Sequence, residues 1–189
     1  MSLRRGFKSE ANWLARNVRE EQGIAPHLPL CPWQTAALLG FPIRSLSEYA
    51  KEAPEAVFYL GSTRGQRDFS AITIFNGQTR LIIHNDSHDR KRQAANIAHE
   101  LAHGLLLHSP KAPFDAHGSR HYDRDIEDEA NWLGPALLIS EEAAIHIARM
   151  DLPVSRASDV YGASEEVVRM RLNVTAAYKR TGRPRVPTY

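Results

Sequence analysis

Residues 99–103 read His-Glu-Leu-Ala-His, and this run constrains the chain more than any other. On an α-helix, residues four apart lie about 6 Å apart along the axis and roughly 40° apart around it. The imidazoles of His99 and His103 can therefore reach one metal ion from a single rigid element. Glu100 is placed to address a water on that metal. The flanks favour a buried helix: Ala94, Ala95, Ile97, Ala98, Leu101, Ala102, Leu105 and Leu106 recur at helical spacing, and no proline interrupts residues 91–109 before Pro110. Polar His-Glu-His groups on such a helix would be costly without a partner, and a metal removes that cost.

Two histidines leave a zinc site incomplete, since a catalytic zinc usually has three protein ligands. A third histidine in the long pattern His-Glu-x-x-His-x-x-Gly-x-x-His is excluded, because Leu106 and Ser109 stand where its glycine and last histidine belong. His108 is one residue early and would point away from His99 if the helix continued, so it reads as a helix-end residue favoured by the dipole. A glutamate from a second helix is the other option. Residues 124–138 repeat Ile126, Ala130, Leu133, Leu137 and Leu138 with helical periodicity. Glu127 falls one position off this stripe, with Asn131 one turn on, where it can steady a ligand. Glu129 competes, but it lies about 200° from Glu127, so only one of them can face the metal. The plain alternative is that Glu127, Asp128 and Glu129 form a solvated acidic run.

The pair HELAHGLLLH (99–108) and IEDEANWLGPALLIS (126–140) resembles the ImmA/IrrE family of zinc-dependent metallopeptidases. The resemblance covers roughly residues 57–175. It implies that His99 and His103 are metal ligands, that Glu127 is the third, and that Glu100 is the general base as water attacks a peptide carbonyl. One Zn2+ is the implied cofactor. The substrate it implies is a transcriptional repressor or antitoxin, with its own helix-turn-helix and encoded on a separate chain. Departures fall on packing positions. Residues 92–96 are Arg-Gln-Ala-Ala-Asn where Arg-Phe-Thr is common, Leu133-Gly134-Pro135 stands for Phe-Ala, and Ile139-Ser140 replaces Met-Pro. Pro135 is expected to kink or restart its helix.

Composition narrows the rest. A single Cys31 among 189 residues excludes an internal disulfide framework and a cysteine-rich metal site. No apolar stretch approaches the roughly 20 residues of a membrane span, and the first residues lack a signal-peptide core, so a cytoplasmic protein is expected. A net charge of +2 does not by itself imply nucleic acid.

Along the chain, residues 8–22 read as a helix, 23–33 as an extended connection, and 34–39 and 45–51 as short helices. Strands are expected at 56–60, 70–75 and 79–83, the last two joined by Asn76-Gly77. The expected class is α+β: a minimal zincin-like fold with a small sheet and active-site helices over residues 1–150, followed by a helix-turn-helix-like segment and tail over 151–189. A substrate can add to a sheet edge, and the strand ending at Ile83-His84-Asn85 is one candidate for that edge. In the 109–123 loop, His121 and Tyr122 are weak candidates for stabilising an oxyanion, as is His84, which reads more simply as a surface loop histidine. Residues 141–149 suggest a short helix capped by Ser140. Residues 151–189 carry seven Lys/Arg against four Asp/Glu, a small excess. DNA binding by residues 155–185 is therefore less favoured than packing against the rest of the chain. The rival to a peptidase is a docking protein, an anti-repressor or toxin component, but an intact Glu100 has no use in a purely structural metal site.

Overall fold

A computed structural model describes residues 3–76, 79–108 and 123–182. It is an α+β arrangement in which helices dominate and a three-stranded sheet flanks one of them. Helix α1 (Phe7–Glu21) buries Phe7, Ala11, Ala15 and Val18, the stripe that its apolar spacing produces. Helix α2 (Pro32–Leu38) begins at a proline, where a missing N–H costs nothing. Strand β1 (Ile43–Ser45) and a 3-10 turn (Leu46–Tyr49) follow.

The expected strand at 56–60 is instead helix α3 (Pro54–Gly61). A five-residue apolar run has no period of its own, and Pro54 in the first turn with Glu55 beside it starts a helix. None of its residues is fully buried, and Phe58 is 84% exposed. After the short α4 (Gly65–Asp68) come β2 (Ala71–Asn76) and β3 (Thr79–His84), antiparallel with Asn76 opposite Thr79. Residues Gly77 and Gln78 of their expected turn lie outside the described residues.

The strand order is β1-β3-β2, with β1 parallel to β3. So β3 is the central strand, which removes it as a docking edge. Both sides of its ladder are taken, and the outer strands are β1 and β2. Sequence reading missed β1, whose three residues are too short to show a period.

Helix α5 (Arg90–Leu105) starts at Asp89, whose carboxylate accepts the N–H groups of Lys91 and Arg92. Helix α6 (Arg124–Leu138) is capped likewise by Asp123 and runs through Pro135 without stopping. Helices α7 (Glu141–Arg149), α8 (Val154–Tyr161), α9 (Glu165–Val174) and α10 (Ala177–Arg180) complete the described chain. Ser140 caps α7 as expected, and Gly162 takes a left-handed φ of 59° to turn α8 into α9.

The α5–α6 pair stands between two apolar cores. On one side Ile97, Leu101, Ala102, Ala130, Leu133 and Leu137 meet α1 and Ile82 of β3. On the other, Ala94, Ala98, Leu138 and Ile139 meet α7, α8 and α9. Each fully buried Leu or Ile contributes about 2–3 kcal/mol, so both helices are held from two faces. The C-terminus of α6 is held by two buried cations. Arg19 of α1 donates to the carbonyls of Leu137 and Leu138 at 2.8 and 3.2 Å, and Arg171 of α9 donates to that of Ile139 at 2.8 Å. Burial pulls both guanidinium groups down to about 10, which still leaves them cationic at neutral pH, where the negative end of a helix favours them.

Candidate metal centre

The two metal-motif histidines lie one turn apart on α5, and Glu127 reaches them from the first turn of α6. The helices approach closely where α6 carries Gly134. A Cβ at that position would sit 3.2 Å from the Cα and N of His99, so the lack of a side chain lets the two backbones close up.

The donor atoms converge. His99 Nε2 and His103 Nε2 are 3.1 Å apart. Taking the nearer carboxylate oxygen in each case, Glu127 lies 3.3 Å from His99 Nε2 and 3.7 Å from His103 Nε2. With a single oxygen per carboxylate, all three ligand atoms fall within 4.8 Å of one another. A tetrahedral ion with bonds of about 2.0–2.1 Å needs donors about 3.3 Å apart, which these separations bracket. Two imidazoles and one carboxylate also suit zinc chemically, and three protein ligands leave a position open. The residues present therefore fit one such ion.

The electrostatics suit ligation too. Burial pulls His99 down, but its hydrogen bond with Glu127 and the charges of Glu100 and Glu127 outweigh that, and its net direction is up. Burial, then the neighbouring His99, push His103 down. The His99 hydrogen bond holds Glu127 below the ordinary carboxylate range against its own desolvation. Asn131 hydrogen-bonds His99, the place expected for it one turn beyond Glu127.

Glu100 meets a residue that sequence reading missed. Thr73 of β2 donates its hydroxyl to Glu100 Oε2 at 2.5 Å. The period of two along β2 puts Thr73 on the face shared with Ala71 and Phe75, opposite the partly exposed Ile74. A threonine in the middle of an apolar strand was the signal available.

Other expectations need correction. His84 is not a surface loop histidine: it ends β3, is 5% exposed, and packs edge-on to Trp33 at 6.1 Å. Nor does α5 continue to His108, because it ends at Leu105. Leu107 takes a left-handed φ of 54°, and the N–H groups of Leu107 and His108 bond back to the carbonyls of Gly104 and His103. This turn folds His108 under the helix, where its Nδ1 lies 2.9 Å from His103 Nδ1. Glu129 does not join the three ligands and meets His108 and Arg4 instead. The loop candidates His121 and Tyr122 lie outside the described residues.

A helix pair that offers two imidazoles and a carboxylate, with a second carboxylate beside them, has the layout of a metallopeptidase. The model of the IrrE N-terminal-like domain, Peptidase_M78, matches residues 57–173, which include every side chain just described except Arg4 and Trp33. The chain belongs to this family, and its function is accordingly of metallopeptidase type. No curated protein and no solved structure matches the chain. Among the described residues no helix is long and apolar enough to cross a membrane.

Proposed function

We propose that the protein is a zinc-dependent, site-specific endopeptidase that cuts a separately encoded helix-turn-helix repressor or antitoxin in the cytoplasm. His99, His103 and Glu127 hold one zinc ion. When bound, that ion supplies a Lewis acid for the scissile carbonyl and brings the pKa of water to about 7. Glu100 takes the proton from the attacking water and later delivers it to the leaving amine. The Thr73 hydroxyl fixes the direction of the Glu100 carboxylate. An extended substrate lies along β2, which is an outer strand among the described residues and can take it as an added strand.

The spacing of the three donor atoms, with Glu100 held beside them by the sheet, is the observation that carries this reading. The choice of a repressor as substrate follows the family and not the site. DNA binding by residues 155–185 is not part of the proposal. Helix α9 opens with Glu165 and Glu166, which repel phosphate, and turns Val168, Arg171 and Leu172 into the core.

The test is to incubate the purified protein with the product of a neighbouring repressor gene, with and without a chelator, and to sequence the fragments. Cleavage at one bond that is abolished by chelation is expected. The Glu100→Gln variant should keep its zinc and lose about 10²–10⁴-fold in rate. Cleavage that survives this substitution would exclude the mechanism.

A further inference from the structure

We infer that His108 and Glu129, steadied by Arg4, are positioning residues that fix the ring and tautomer of His103 as a metal ligand. The inference rests on the metal site proposed above. His103 turns Nε2 towards His99 and Glu127, and turns Nδ1 towards His108. A neutral imidazole can offer Nε2 to a metal only with its proton on Nδ1. That proton needs an acceptor, and His108 Nδ1 lies 2.9 Å away. Accepting there leaves the His108 proton on Nε2, which is 3.3 Å from Glu129 Oε2. The other oxygen of Glu129 accepts from Arg4 Nε at 2.7 Å, and Arg4 also pairs with Glu10 at 2.7 Å.

With both rings neutral, the chain of contacts works in one direction only. Were neutral His108 to donate to His103, its bare Nε2 would face the Glu129 carboxylate, lone pair against lone pair. His103 would then carry its proton on the nitrogen that faces the other two ligands. The side chains of His108 and Glu129 are 10% and 15% exposed, so water competes little for these bonds. Leu107 supports the arrangement at a cost: it is a β-carbon-bearing residue in left-handed backbone, 81% exposed, where only the turn that returns His108 calls for it. Outer partners of this kind orient a ligating histidine and typically change metal affinity by about 10–100-fold.

The experiment measures zinc affinity by competition with a chromophoric chelator, and the visible spectrum of the cobalt(II)-substituted protein. His108→Ala should weaken zinc binding by about 10–100-fold and shift the cobalt bands. His108→Asn, whose amide oxygen can still accept from His103 Nδ1, should recover much of the loss, and Glu129→Gln should fall between. Zinc affinity within twofold of wild type in His108→Ala, with unaltered cobalt bands, would overturn the inference while leaving the metal site standing. Should His108→Ala not fold without metal, wild-type affinity in Glu129→Gln overturns it equally. A wild-type protein that takes up no zinc would remove the proposed function and this inference together.

Discussion

Valine in place of Gly134 should pry apart the helices that carry the metal ligands. A Cβ built there meets the Cα and N of His99 at 3.2 Å and the carbonyl carbon of Ala98 at 3.4 Å. Carbon contacts settle at about 3.5–4.0 Å, so the first added atom already asks for a retreat of roughly 0.3–0.8 Å. The atoms it meets are main chain, which cannot rotate away. Glu127 lies seven residues earlier on the same helix, about two turns and on nearly the same face, so the retreat reaches it through a stiff element. Metal sites tolerate only about 0.2 Å of ligand displacement. For alanine the overpacking cost of about 1–3 kcal/mol is partly offset by about 1 kcal/mol of helix propensity, so Gly134→Ala should be mild. For valine the branched side chain adds clash without that gain. Gly134→Val should lose about 2–4 kcal/mol in denaturant unfolding of the metal-free protein. Its zinc affinity, read by chelator competition, should fall at least about tenfold. A Gly134→Val protein with wild-type zinc affinity and unchanged unfolding midpoint would refute the argument that close approach at this residue sets the ligand geometry.

Other outcomes follow from the same contacts. Thr73→Val removes one hydrogen bond to a carboxylate, worth about 1.5–3 kcal/mol, and should lower the rate of cleavage about tenfold or more while zinc content is unchanged. A normal rate would show that Glu100 needs no anchor from the sheet. Arg19→Met takes a donor from the carbonyls of Leu28, Leu137 and Leu138 and should cost about 3–5 kcal/mol in urea unfolding, with Arg19→Lys recovering only part. In the metal-free protein His99 is raised above 6.5 and Glu127 lowered below 4.5. Their pair therefore stabilises fully between those values. That contribution is lost as pH rises through the folded pKa of His99 or falls through that of Glu127. Zinc must displace the His99 proton, so its affinity should keep rising with pH until pH passes the folded pKa of His99, which lies above 6.5, and level off beyond that point; a flat profile in zinc titrations from pH 6 to 8.5 would contradict the assignment.

The helix that ends at Leu138 was readable from its period, and the strands expected at 70–75 and 79–83 from two short apolar runs with an Asn-Gly turn signal between them. The two histidines and Glu127 were readable because helical spacing fixes direction as well as distance. What escaped was tertiary or local in a different way. The run at 56–60 carries no period, so its start at Pro54 decided its fate. Strand β1 exists because β3 offers it a ladder, which no three-residue window can announce. His108 was read as the end of a continuing helix, and a single left-handed leucine reverses that. Thr73 and Glu100 are 27 residues apart, and only the packing of β2 on α5 joins them.

The convergence of Arg19 and Arg171 on three successive carbonyls at the end of α6 makes both flanks of the chain guardians of the catalytic half. A recombinant fragment trimmed to the span that the family model covers would retain every proposed zinc contact yet forfeit Arg19, and with it the lock on Leu137 and Leu138. Such a minimal version should express as a looser, protease-sensitive body. Useful truncations of this enzyme therefore begin upstream of Phe7, not at the first residue of the recognisable domain.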